Sequence, residues 1–305
     1  MTRTLLIGTH EFSWREWVKR ELRGRDLLVL DPNEPNQNAL ARVCLVREGK
    51  VVAYRFVGSL DPLRNPLAVL QATTQLLAKA NENVVIQCFD YRPQPVARHL
   101  ALIIAQLIGP AEILVPTGAD IPMDGWPVGP HAVDAEPGFP PMVLAAQRRA
   151  RWLEMIEDSQ EHSIPWDQVS IMGARFGSGV RVHPYDLEKE GIPGVLWAER
   201  CGTTLFLISK RNLDDRQLTT ALNVGRATHV IVVDPMQYSG RLCSLARQNG
   251  EDFGMGFIEE LDFVHGVFRV HAVAIPPAPV RILKLGTLTI DSTGREIEDE
   301  KPWSS

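Results

Sequence analysis

The stretch IPGVLWAERCGTTLFLISKRNLDDRQLTTALNVGRATHVIVVDP, Ile192 to Pro235, decides how the chain reads. Two apolar runs, Gly194–Glu199 and Leu205–Arg211, flank a turn-like break at Arg200-Cys-Gly-Thr203. A helix start follows at Asn212–Leu218, and a third apolar run lies at His229–Asp234. Each run is too short for a buried helix and too continuous for an exposed strand. The pattern predicts a hairpin and a third strand side by side in one sheet, with a helix over 213–225 packed on it.

Hairpin, helix and strand in this order resemble the core of the PD-(D/E)xK, or restriction-endonuclease-like, superfamily. The resemblance spans roughly residues 141–260. That family places Pro-Asp before the first strand and Glu-x-Lys at the end of the second. Here Pro193-Gly194 and Ser209-Lys210-Arg211 stand at those places. The chemistry implied needs carboxylates to hold Mg²⁺ and a lysine to position water. Gly194 and Ser209 cannot ligate a metal, and Arg211 is too basic to act as a base. The resemblance therefore implies a degenerate nuclease domain kept for binding or assembly. The competing expectation is a metal nuclease with migrated acids. It would use Glu199, Lys210 and Arg211 with Mg²⁺, a further carboxylate coming from Glu154, Glu157, Glu188 or Glu190.

Working outward, the first half alternates buried strands with helices. Strands are expected at Thr4–Gly8, Asp26–Asp31, Asn83–Phe89 and Ala111–Pro116, and helices at Glu11–Leu22, Pro66–Ala80 and Pro95–Ile108. Such alternation argues for a parallel sheet covered on both faces. A hairpin at 43–57, turning at Glu48-Gly49, is an insertion in that pattern. The expected fold class is α/β: a Rossmann-like domain over 1–138 and a restriction-endonuclease-like domain over 139–305. The Pro- and Gly-rich stretch 117–140 reads as their connection. Pro141–Gln160 and Gly240–Asn249 read as helices. Val267–Ile275 and Val280–Ile290 read as strands, before a frayed acidic tail from Glu296. A ligand-sensing Rossmann-like domain followed by a nuclease-like domain also resembles the layout of CARF-type CRISPR accessory effectors; a further alternative is a nucleotide or small-molecule sensor or enzyme acting at the N-terminal strand ends.

Three further groups of residues carry chemistry. The carboxyl ends of parallel strands form ligand crevices, and Thr9, His10, Asp31, Asp90 and Arg92 fall at those ends. Their hydroxyl, imidazole, carboxylate and guanidinium groups suit a nucleotide or phosphorylated small molecule; helix capping by Thr9 and Asp31 is the plainer reading. Arg148 and Arg151, three apart on one helix face, suit phosphate contact or simple pairing with Glu154. The run Gly173–Gly179 is either a flexible turn or an anion cradle assisted by Arg175 and Arg181.

Composition narrows the rest. A net charge of −5 over 305 residues leaves only a local basic patch to meet nucleic acid. The cysteines Cys44, Cys88, Cys201 and Cys243 form no C-x-x-C pair, and the histidines form no H-x-x-x-H or H-E-x-x-H, so a zinc site is not expected. No apolar run approaches a membrane span, and no signal peptide is read at Met1. The expected compartment is cytoplasmic. The expected partners are nucleic acid or a nucleotide and a second copy of the chain, with no membrane.

Overall fold

The computed structural model describes residues 2–35, 39–122, 124–273 and 279–298, and all counts are of these residues. The chain divides into two compact units, Met1–Trp152 and Leu153–Ser305. The division falls inside a long helix and not at residue 138.

Unit 1 contains β1 (Thr2–Leu6), β2 (Phe12–Ser13), α1 (Arg15–Glu21), β3 (Asp26–Val29), β4 (Arg42–Arg47) and β5 (Lys50–Phe56). It continues with α2 (Pro66–Leu77), β6 (Asn83–Gln87), α3 (Pro95–Ile108), β7 (Glu112–Pro116), β8 (His131–Val133), β9 (Glu136–Pro137) and most of α4 (Pro141–Glu157). Its main sheet runs β5-β4-β3-β6-β1-β7-β8. The five strands from β3 to β8 are parallel, and β4–β5 is the expected antiparallel hairpin on one edge. The fold is thus mixed α/β with a parallel sheet. Counted along the chain, the parallel strands stand in the order 2-3-1-4-5, which differs from the 3-2-1-4-5-6 of the dinucleotide-binding fold.

The helices start where the sequence provides caps. Asn65 accepts from Ala68 N at 3.4 Å and Pro66 opens α2. Pro95 opens α3, and Gly109 closes it in the left-handed region at φ 58°. α2 and α3 bury Val69, Leu76, Leu100 and Ile104 against Leu5, Ile7, Leu28 and Ile86. The opposite face of the sheet packs Leu6, Leu27, Val29 and Val85 against Trp14 and Val18 of the α1 segment. α1 is shorter than expected, because Phe12-Ser13 pairs with Glu136-Pro137 instead of joining the helix. The stretch 117–140 is therefore not a loose connection. β8 extends the sheet, and β9 pins the segment that follows β1.

Unit 2 contains β10 (Ser159–Pro165), β11 (Ser170–Met172), β12 (Val180–Arg181), α5 (Pro184–Lys189), β13 (Val195–Cys201), β14 (Thr204–Ser209), α6 (Asp215–Gly225) and β15 (His229–Val233). Then come β16 (Arg241–Ala246), β17 (Asp252–Asp262), β18 (Val267–Val273), β19 (Ile282–Ile290) and β20 (Glu296–Glu298). One sheet runs β12-β13-β14-β15; the other runs β10-β18-β17-β16-β19-β11, with β20 on β19. The hairpin and third strand expected from 192–235 do share a sheet, β15 lying parallel to β14. Asp214 and Gln217 cap α6 reciprocally at 2.8 and 3.1 Å.

Alternation along β13 and β14 sorts their side chains between two layers. Ala198, Leu205 and Leu207 pack on Leu187 of α5 and Ala221 of α6. Trp197, Phe206 and Ile208 pack on Leu245, Ile258, Phe268 and Val270 of the larger sheet. The helix expected over 240–249 is instead β16, buried at every position between β17 and β19. Residues 274–275 of the strand expected to reach Ile275, and 299–305 of the tail, lie outside the described residues.

Candidate functional site

In unit 1, β1 leads into α1 on one face of the sheet, while its neighbour β6 leads into α3 on the other. Adjacent strands whose connections leave on opposite faces open a crevice beyond their carboxyl ends. A cavity of about 640 Å³ lies there, within the range of about 300–1,000 Å³ that small-molecule sites occupy. Thr9, His10, Asp90 and Arg92 line it from the strand ends, and Phe139, Leu144 and Arg148 from β9 onward. A smaller cavity of about 70 Å³ is lined by Gly8, Ser13, Trp14 and Arg15 together with Asp31, Glu34 and Asp90.

The electrostatics are mixed. Burial pushes the Asp31 carboxyl well above the usual range, and the Asp90 carboxylate beside it adds to the push. Asp31 also accepts from Asn33 N at 3.0 Å. Burial raises Asp90 to about 6, with His10 and Arg92 pulling it back. Arg92 reaches Asp61 at 3.3 Å and remains partly exposed. Burial holds the Cys88 thiol at about 12, so it is no nucleophile. Three buried donor atoms in the cavity walls make no hydrogen bond among the described residues: Thr9 Oγ1, Trp14 Nε1 and Arg15 Nη2. A buried donor without a partner costs about 1–3 kcal/mol, so ligand oxygens placed there would be favoured. Thr9 does not cap α1, which has no side-chain cap.

The structure brings Thr9, His10, Asp90 and Arg92 to the larger cavity and Asp31 to the smaller one, and it adds Arg148, which sequence reasoning placed on a nucleic-acid face. Arg151, one turn further along α4, is exposed and does not line the cavity. Sequence reasoning missed Trp14, Arg15 and Phe139. The Arg15 guanidinium lies 4.5 Å from the Phe139 ring centre. That pairing joins residues 124 positions apart and leaves no local signal.

The nuclease-like residues do not assemble. Glu199 is buried and accepts from Gly177 N at 3.1 Å. Burial raises its pKa, against the pull of neighbouring donors that include the turn's own backbone N–H groups. The glycine-rich run therefore cradles an anion, but the anion is the chain's own carboxylate. Arg181 pairs across from Glu199 and stacks 3.8 Å from the Trp197 ring centre, and Arg175 flanks the same turn. Glu199 faces Phe206, four residues from the exposed Lys210 and five from the exposed Arg211. At about 3.3 Å per residue, that puts Glu199 and Lys210 roughly 13 Å apart along the strand. Glu154, Glu157, Glu188 and Glu190 are exposed. Among the described residues, no three His, Cys, Asp or Glu side chains are grouped to hold a metal. These residues do not fit the Mg²⁺ of a PD-(D/E)xK site.

Glu199→Ala leaves turn N–H groups unpaired and should cost about 2 kcal/mol in urea unfolding. The parent should show no Mg²⁺-dependent DNA or RNA cleavage. Robust cleavage that disappears in Glu199→Gln would reverse the assignment.

Unit 1 belongs to the class of open α/β sheets with a pocket at the strand ends. No family model and no curated protein sequence matches the chain. Among solved structures it is similar to a wild-type complex of Clp1p with Pcf11p, at TM-score 0.51 and 10% identity over 94% of this chain and 74% of that one. It is similarly close to a structure describing an extended interface between Pcf11p and Clp1p and ATP loss in a point mutant, at TM-score 0.50 and 10% identity. That match covers 94% of this chain and 75% of the other. At this identity the likeness concerns the fold.

Proposed function

We propose that unit 1 binds a nucleotide or a related phosphorylated molecule at the carboxyl ends of β1 and β6, and that the chain works by binding, not cutting. The observation that carries this is the 640 Å³ cavity at the crossover of the parallel sheet, with Arg92, Arg148 and His10 on its walls. The partnerless Thr9 hydroxyl supports it. The likeness to Clp1p, one of whose structures is described in terms of ATP, points to the same ligand class. On this reading unit 1 is Rossmann-like in the broad sense of a doubly wound sheet. The β13–β15 segment keeps the restriction-endonuclease-like order without its acids, and any nucleic acid would be held through a phosphate at Arg148. No described helix is long and apolar enough to cross a membrane.

The test is thermal unfolding of the full chain with nucleotides. A ligand at about 100 times its Kd should add about 2.7 kcal/mol to stability. Arg92→Ala and Arg148→Ala should each weaken binding about tenfold or more, the worth of one charge-assisted hydrogen bond. Equal shifts in parent and both variants would place the ligand elsewhere.

A further inference from the structure

The eight residues from the end of β1 into α1 are Gly8-Thr-His-Glu-Phe-Ser-Trp-Arg15. A phosphate loop at this place in an open sheet reads G-x-x-x-x-G-K-[ST]; its lysine reaches the outer phosphates and its hydroxyl binds Mg²⁺. Gly8 aligns with the first glycine, but Ser13, Trp14 and Arg15 take the last three places. Trp14 is 5% exposed, and its indole packs back against Gly8. The segment is also tied down. Gly138 N donates to Glu11 O at 2.7 Å, and a Cβ on Gly138 would strike the His10 carbonyl. α1, only seven residues long, begins after this tether. The loop is therefore not shaped to wrap a chain of phosphates.

Charge points the same way. The inner cavity, about 70 Å³, is lined by Asp31, Glu34 and Asp90 together with His10 and Arg15. It is far below the ~300 Å³ of a small ligand pocket, so it leaves no room for further phosphates. Arg92 and Arg148 lie on the outer cavity with His10, and Glu11, Asp90 and Asp120 share its wall and limit the negative charge it can take. The Arg92 and Arg148 guanidinium groups match one terminal dianionic phosphate, with Thr9 Oγ1 free to donate to it.

We infer that the occupant of this pocket is a phosphomonoester, a molecule ending in one phosphate, held without a divalent cation. This rests on the nucleotide-binding reading above and narrows it.

Calorimetry and thermal shift on the full chain test it, using the four ribonucleoside 5′-monophosphates, the matching triphosphates and free nucleosides, each with Mg²⁺ or with EDTA. The expected result is that a monophosphate binds about tenfold or more tightly than its triphosphate. Its affinity should be unchanged by EDTA, and its nucleoside should bind more weakly. Asp90→Asn removes an acid common to both cavities and should narrow the mono- over triphosphate preference. A triphosphate that binds more tightly, or binding abolished by EDTA, overturns the inference while the nucleotide reading stands. An undiminished preference in Asp90→Asn overturns the role given to the acids. If no nucleotide shifts the melting temperature, the nucleotide reading and the inference fall together.

Discussion

Phe176→Ala is expected to destabilise unit 2 by about 4 kcal/mol, the usual loss for emptying a fully buried aromatic site. Phe176 has no exposed surface. Its ring lies 4.6 Å from Trp197, 5.6 Å from Phe268, 5.8 Å from Trp166 and 6.4 Å from Tyr238, centre to centre. These residues come from both sheets of the unit, so one ring joins the two layers. The residue stands inside the Gly173–Gly179 turn, and losing it also frees the backbone donors that meet Glu199. Urea unfolding followed by tryptophan fluorescence reads the change directly, because Trp166 and Trp197 touch the site. A loss below about 1 kcal/mol, the range of surface substitutions and minor repacking, would show that the turn is not anchored by this side chain.

Asp90→Asn should stabilise the protein at pH 8 by about 2–3 kcal/mol and leave stability nearly unchanged at pH 4. The folded-state pKa of Asp90 is raised to about 6 from 3.8. The native state therefore holds the proton more tightly than the unfolded chain. The favourable contribution is fully present below about pH 4 and is lost as pH rises through 6, at about 1.4 kcal/mol for each pH unit between the two values. Asparagine is neutral throughout and avoids that loss. Burial and the neighbouring Asp90 push the Asp31 carboxyl up as well, so Asp31→Asn should stabilise the protein in the same direction as pH rises. Denaturation midpoints at pH 4, 6 and 8 settle it: a mutant parallel to the parent across this range refutes the buried acid pair.

Much of unit 1 was legible because its strands are continuous apolar runs and its helices carry local punctuation, such as Asn65-Pro66 and Gly109. The 192–235 segment was legible for the same reason. The strand β16 was misread because, fully buried on both faces, it shows neither alternation nor helical spacing. α1 was overextended because Phe12-Ser13 is claimed by Glu136-Pro137, a pairing invisible to any local window. At the site, the acids and cations at the strand ends followed from the rule for parallel sheets. Arg148 joined them only through the path of the chain after β9, which also brings Phe139 against Arg15 of α1. Glu199 stood as a metal ligand only in the competing active-nuclease reading, because an acid at the end of a strand looks the same whether it faces a metal or the backbone N–H groups of Gly177, Ser178 and Gly179.

The pairing of β10 with β18 has a consequence for synthesis on the ribosome. Unit 1 closes on itself by Trp152, so all its partners are present when it emerges. β10 follows at once, yet its ladder is with Val267–Val273, about a hundred residues later. At about 5–20 residues per second, this strand leaves the exit tunnel some 5–20 s before its partner. Throughout that interval the nascent chain carries an unpaired edge, the point at which a holding chaperone is most needed and truncated products are most prone to associate.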